Sequence, residues 1–383
     1  MRFPGPRIRK HYFPVSGEAE FVQTVAEQRN RRWCLLGLDQ VLVDMEVRAS
    51  TAFIREAGLV PGESERLGAE ALQRLLGRIQ SAGLKARFAP GGSVANSLNN
   101  YTFLSGEPAV LLGSMVDPIP LHGPAFEFVA QTPNGMDLSQ LTAEVGEVGL
   151  AITLVSEDGE RTFAVSPGVS NSFSPERIRP ELVRDAAAVV TTLYTLADPS
   201  WPIAAATRRL MELATELGVP VAFGLGTAGL VRSMRPTVRE ILQRHVTIAA
   251  MNDREAEALT GESDALLACE RALEWVDLAI VTEGARGMTI GGYVDCSQRR
   301  RTRDKVRSRA IPSYNRWEYS RLMQRKHCHN PIKTYTHIHP YQGGPDRMSN
   351  TNGAGDAALA AVLHDVAANR FHRTTAPGSS KHP

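Results

Sequence analysis

The chain has 383 residues, 43% hydrophobic and 22% charged, which suits a globular protein with a substantial core and excludes a mostly disordered one. Its 43 Lys and Arg against 41 Asp and Glu leave a formal net charge of +2, which excludes a strongly basic nucleic-acid protein and a halophile-like acidic surface. Cys34, Cys269, Cys296 and Cys328 form no CxxC pair, no apolar run reaches the roughly 18 residues of a membrane span, and the basic N-terminus lacks a signal-type apolar stretch. A cytoplasmic protein without membrane association is expected.

In chain order, Trp33 to Leu38 is a short apolar strand. Gly149 to Val155 and Glu160 to Val165 alternate, and the Asp158-Gly159 between them is a strong hairpin signal. Ala187 to Leu193 predicts a buried strand and Ile203 to Leu217 a helix. Val219 to Phe223, His245 to Ala250 and Leu278 to Val281 predict further buried strands. Helical patterns cover Val238 to Arg244, Arg254 to Leu259 and Ala265 to Val276. Near-continuous Val/Ile/Ala strands alternating with helices predict an α/β fold, with a parallel sheet covered on both faces. The 149–165 hairpin breaks that rhythm and is expected to form a separate small β element.

Residues 296–348 show little periodicity, and between 299 and 347 they carry 13 Lys and Arg against three acidic residues. The rest of the chain therefore holds 30 basic and 38 acidic residues, so the near-neutral total hides an acidic body and one basic stretch. The stretch reads as an insertion or a long functional loop, and 374–383 as loose tail.

Asn350-Thr351-Asn352-Gly353-Ala354-Gly355-Asp356 precedes a helical run. A Gly-x-Gly before a helix presents consecutive amides to an anion, and a carboxylate in the first turn can take a proton from an attacking hydroxyl. A plain glycine turn with Asp356 stabilising the helix is equally compatible with these residues. Gly91-Gly92-Ser93-Val94-Ala95-Asn96 allows close approach of a ligand and offers the two-way hydrogen bonding of Asn, which suits a polyhydroxy group; an ordinary loop into a helix over 94–104 is the alternative. Asn252 and Glu255 follow a strand and can hold Mg²⁺ through water or form a capping box. Thr282-Glu283-Gly284-Ala285-Arg286-Gly287 also follows a strand, as a nucleotide loop or a plain turn. Gly224-Leu225-Gly226-Thr227-Ala228-Gly229 matches GxGxxG, but Pro236 is expected to break the helix a dinucleotide site needs, and no acid stands at Val246. His327, His329, His337 and His339 with Cys328 have poor spacing for zinc.

Taken in order, the Gly-Gly-x-x-x-Asn element, the DGERT hairpin, NxxE, TxGxxG and GAGD resemble the PfkB/ribokinase family of sugar and nucleoside kinases. KHYFPV from Lys10, GLDQVLVDME, AMNDREAEALTGESDALLA, HIHPYQGGP and NTNGAGD are similar to its inosine-guanosine kinase branch. The resemblance covers about 1–382. It implies a ribokinase-like fold, a mostly parallel central sheet flanked by helices with a small β lid that includes about 149–165. The implied organisation is an N-terminal extension over 1–32, a kinase domain over 33–373 with the basic insertion at 296–348, and the tail.

The resemblance also implies roles. Asp44 would bind ribose hydroxyls, with Gly91, Gly92 and Asn96 on the sugar-side loop. Asn252 and Glu255 would serve Mg²⁺ and phosphate, with Thr282, Gly284 and Gly287 on the ATP side. Gly353, Ala354 and Gly355 would form the anion hole and Asp356 the catalytic base. The implied activity is ATP- and Mg²⁺-dependent phosphorylation of inosine and guanosine to IMP and GMP; a monovalent cation requirement and a homo-oligomer stay open. A same-fold kinase for adenosine, cytidine or a sugar is one alternative. A non-catalytic nucleotide- or RNA-binding protein using the basic stretch is another. Asn350 stands where many family members have Asp, and Gly113 to Asp117 match the glycine-rich lid motif poorly. Only 27 residues follow Asp356, so a C-terminal helical part is expected to be missing, at a cost to ATP affinity and activity.

Overall fold

The computed structural model describes residues 34–121, 123–132, 135–298, 322–339 and 353–368. The N-terminal extension, most of the basic stretch, Asn350 to Asn352 and the tail lie outside the described residues. The chain divides into two compact units, 34–224 and, among the described residues, 225–368.

The first unit carries β1 (Leu35–Leu38), β2 (Leu42–Arg48), β3 (Ser64–Arg66), β4 (Ala86–Pro90), β5 (Ala109–Val116), β6 (Met136–Asp137), β7 (Leu141–Glu144), β8 (Gly149–Val155), β9 (Arg161–Ser166), β10 (Ala188–Thr192) and β11 (Val221–Gly224). Its helices are α1 (Thr51–Glu56), α2 (Ala69–Ser81), α3 (Ser93–Ser105), α4 (Pro124–Gln131), α5 (Pro180–Asp185) and α6 (Pro202–Leu217). A parallel sheet runs in the order β11-β10-β1-β5-β6, with β7 parallel to β5. In register, Leu35 lies between Ala188 and Ala109. Every residue of β1 and β10 is buried, as a strand covered on both faces requires. Pro202 opens α6, where the missing N–H costs nothing, and Gly218 closes it at φ +69°.

The hairpin reading of 149–165 holds. β8 and β9 pair antiparallel and Gly159 takes the turn at φ +84°. They belong to a second sheet, ordered β3-β9-β8-β2-β4. β9 alternates buried and half-buried residues, the pattern of a strand with one wetter face.

The second unit contains β12 (Ile248–Asn252), β13 (Leu278–Thr282), β14 (Met288–Asp295) and β15 (Pro331–Ile338), with α7 (Ala228–His245), α8 (Asp253–Thr260), α9 (Ala265–Ala272) and α10 (Ala354–Ala368). β12 and β13 are parallel; β14 and β15 add antiparallel. The break expected at Pro236 is present: Met234 leaves helical geometry (φ −116°, ψ 15°), so α7 is two helical pieces joined at a kink. The sequence misleads at three places. The second piece runs to His245, and β12 starts at Ile248, three residues later than expected. α9 stops at Ala272, where the ladder tightens: Glu274 N–H and Trp275 N–H donate to the carbonyls three residues back, those of Arg271 and Ala272 (3.2 and 2.9 Å). Part of the stretch read as aperiodic is the strand β15, paired with β14 over its full length.

Among the described residues, no helix is long and apolar enough to cross a membrane.

Candidate active site

The glycine pair Gly91–Gly92 is forced by its neighbours. A methyl on Gly91 would run into the Asp44 carboxylate and lie 2.9 Å from the Asp44 backbone nitrogen. Asp44 is half-buried on β2, between Ala89 and Ala151 in register. Gly92 takes φ +92°, and a methyl there would lie 2.6 Å from Asp39 Oδ2. Asn96 N–H donates to the Gly92 carbonyl at 2.9 Å, seating Asn96 in the first turn of α3. The first unit thus gathers Asp44, Gly91, Gly92 and Asn96 at one loop.

Asp39 is the residue that sequence reasoning missed. It is only 2% exposed. Its Oδ2 accepts from Val94 N–H at 2.8 Å and Ala95 N–H at 3.2 Å, and its Oδ1 accepts from Gln40 N–H at 2.9 Å. A carboxylate from the end of β1 therefore caps α3, where Gly92 offers no side chain to do so. Beside it, Gln40 Nε2 donates to Asn171 Oδ1 at 2.5 Å. The cap spans 55 residues, so no local pattern announces it.

In the second unit, Asn252 pairs in register with Thr282, bringing the carboxyl ends of β12 and β13 side by side. Ligands collect at such strand ends in parallel sheets. Asn252 and Glu255 form the capping box anticipated as the alternative. Asn252 Oδ1 accepts from Glu255 N–H at 2.9 Å, while Glu255 accepts from Asn252 N–H at 3.0 Å and Asn252 Nδ2 at 2.6 Å. Glu255 is nevertheless more than a cap. It is 6% exposed, and burial pushes its carboxyl up to about 7, with Asp253 and Asp356 adding to the rise. Asp356 thus acts electrostatically on Glu255, although 101 positions separate them in sequence.

Thr282 to Gly287 is a hairpin turn between β13 and β14. Glu283 N–H donates to the Gly287 carbonyl at 2.8 Å, and Gly284 and Gly287 hold φ of +58° and +101°. Gly353, at φ +75°, leads into α10, which packs on β12. Ala354 and Gly355 are exposed at the first turn, and Asp356 is half-buried there. Their amides lie at the positive end of a helix whose core side is Leu359, Ala360, Leu363, Val366 and Ala367.

Glu255, raised by burial and then by the negative charges of Asp253 and Asp356, is chemically suited to a divalent cation, which would favour its ionised form. No cluster of three or more His, Cys, Asp or Glu side chains gathers as a metal site among the described residues. The GxGxxG segment precedes α7, whose first piece breaks at Met234, just before Pro236. Thr227 caps α7 by accepting from Leu230 N–H at 3.3 Å. Val246 still offers no acid for a ribose.

The model of the pfkB family of carbohydrate kinases matches residues 133–306. The chain is 40% identical to guanosine-inosine kinase of Escherichia coli K12, over 100% of this chain and 88% of that one. Adenosine kinase from Sinorhizobium meliloti shares the fold with a TM-score of 0.66, at 20% identity over 88% of both chains. So does Anopheles gambiae adenosine kinase, solved with P1,P4-di(adenosine-5) tetraphosphate. Its TM-score is 0.63, at 17% identity over 87% of this chain and 92% of that one. With a relative so similar along the whole sequence and a ribokinase-like α/β fold, the chain belongs to the pfkB family of carbohydrate kinases, as a nucleoside kinase.

Proposed function

We propose that the chain phosphorylates the 5′-hydroxyl of inosine and guanosine with ATP and Mg²⁺, yielding IMP and GMP for purine salvage. The observation that carries this reading is the full-length 40% identity to a guanosine-inosine kinase. The helix-start amides and Asp356, with Asp356 acting on a buried Glu255, support it.

In this reading Asp44 and the Gly91–Gly92 loop hold the ribose, with Asn96 beside them. Asp356 takes the proton from the 5′-hydroxyl, whose oxygen then forms a bond to the γ-phosphorus as the bond to ADP breaks. The amides of Gly353, Ala354 and Gly355 hold the charge that develops on the phosphoryl oxygens. Glu255, with Asn252, would hold Mg²⁺ through water; the ion supplies positive charge to the phosphates. Thr282, Gly284 and Gly287 would lie along the ATP. The second sheet serves as the lid that excludes water.

The test is a competition panel of inosine, guanosine, adenosine, cytidine and ribose with ATP and Mg²⁺. Inosine and guanosine are expected to lead, and preference for another acceptor overturns the substrate. Asp356→Ala is expected to lower kcat by about 10²–10⁴-fold with inosine still bound. Full turnover in that variant removes Asp356 as the base.

A further inference from the structure

His337 belongs to the HIH segment that neither the zinc reading nor the catalytic reading uses. It sits on β15, opposite Thr289 of β14. Its Nε2 lies 3.0 Å from the Arg286 carbonyl oxygen, an atom that can only accept, so Nε2 carries the proton. Its Nδ1 lies 3.1 Å from the Thr289 hydroxyl. That hydroxyl is 3.0 Å from Glu283 Oε2, and Thr289 is 3% exposed. Glu283 Oε2 is itself 3.6 Å from His337 Nδ1.

One imidazole therefore bonds the backbone of the 283–287 turn at Arg286 and lies against the Thr289 hydroxyl, which donates to the side chain of the turn's first residue, Glu283. The turn then reaches onward. Arg286 Nη2 bonds Asp253 Oδ2 at 2.9 Å, and Arg286 Nε lies 3.5 Å from Glu283 Oε1. Asp253 opens α8 directly after Asn252 and two residues before Glu255. The Arg286–Asp253 pair is exposed and contributes little energy alone, so it gains its use from a turn already fixed by His337.

We infer that His337 is a positioning residue that locks the 283–287 turn to β15 and, through Arg286 and Asp253, aligns it with the Asn252–Glu255 motif for nucleotide binding. The nucleotide part rests on the proposed kinase function; the lock itself does not.

The experiment compares full-length wild type, His337→Ala, His337→Gln, Asp253→Asn and the His337→Ala/Asp253→Asn double variant by hydrogen–deuterium exchange and by kinetics. In His337→Ala, exchange should rise about fivefold or more in peptides covering 283–287 and 252–256, with peptides covering 35–48 unchanged. His337→Gln, which can still donate to the Arg286 carbonyl, should recover part of that protection. KM for ATP should rise about tenfold while KM for inosine moves less than twofold. The double variant should exchange little faster than His337→Ala, because both changes cut one chain of contacts. Unchanged exchange at 283–287, or equal rises in both KM values, overturns the inference. Faster exchange at 283–287 in a chain that phosphorylates no nucleoside would uphold the lock and overturn the kinase reading. A variant that melts as a whole exposes every peptide, and His337→Gln then carries the comparison.

Discussion

Each unit buries one carboxylate beside a glycine-bearing loop of the proposed site and treats it differently. Asp39 in the first unit is 2% exposed and surrounded by donors: two helix amides and the N–H of Gln40. Glu255 in the second is 6% exposed and receives an amide and a side-chain N–H from Asn252. It also feels the negative charges of Asp253 and Asp356. Three donors hold the Asp39 carboxylate as a fixed strut under Gly92, whereas burial first, and then nearby carboxylates, leave Glu255 wanting a proton or a cation.

The contrast can be broken by removing the strut. Asp39→Ala leaves the Val94 and Ala95 amides buried and unpaired, and should cost about 3–4 kcal/mol. Urea unfolding reads the loss; a stability within 1 kcal/mol of wild type would mean that α3 finds another cap.

Glu255 should respond to pH. Its folded carboxyl sits near 7 against an ordinary 4.5, so the folded state keeps a proton that the unfolded chain has lost between those values. Stability from this group is fully present below about 4.5 and declines as pH rises through about 7, by about 3 kcal/mol in all. Glu255→Gln should flatten that decline in a series of melts from pH 5 to 8. An unchanged slope would assign it to other groups.

Asp295 resembles Asp39 in a less critical place. Its Oδ1 accepts from the Ser297 hydroxyl (2.7 Å) and N–H (3.0 Å), and its Oδ2 from His329 N–H (2.5 Å) and Asn330 N–H (3.2 Å). The Ser297 hydroxyl first, then these amides, hold its carboxyl well below the usual range. A depressed carboxyl contributes stability that is fully present above its ordinary value of 3.8 and is lost as pH falls through the depressed folded value. Asp295→Asn should cost about 1 kcal/mol at neutral pH and progressively less in melts taken from about pH 4 downwards. A cost that stays constant across that series would make the effect steric.

Much of this was legible in the sequence, and the limits have a physical cause. The Asp158-Gly159 hairpin, the apolar parallel strands and the glycine of each loop are local signals. Pro236 is a local signal too: it marks the break that the structure places at Met234. β15 was missed because its evidence is a partner: Ile332 to Tyr335 become a strand by pairing with Gly291 to Val294. Asp39 and His337 were missed for the same reason, since each acts on a segment about 50 residues away. The roles of Asp44, Asp356 and the other site residues came from the resemblance, and the geometry adds why glycine must stand at 91 and 92.

The junction of β14 and β15 has a consequence for how this chain can vary. Asp295 and Pro331 are directly opposed in the ladder, and the Cys296 amide bonds the Asn330 carbonyl at 3.0 Å. Ahead of β15 the chain is tied to the second unit at two further points: Met323 N–H bonds the Tyr293 carbonyl at 2.8 Å and Arg325 N–H bonds the Asp277 carboxylate at 3.0 Å. The described residues on either side of 299–321 are therefore held by their own contacts, at Cys296 on one side and Met323 on the other. Substitutions confined to 299–321 are expected to leave the β14–β15 register, and with it His337, in place.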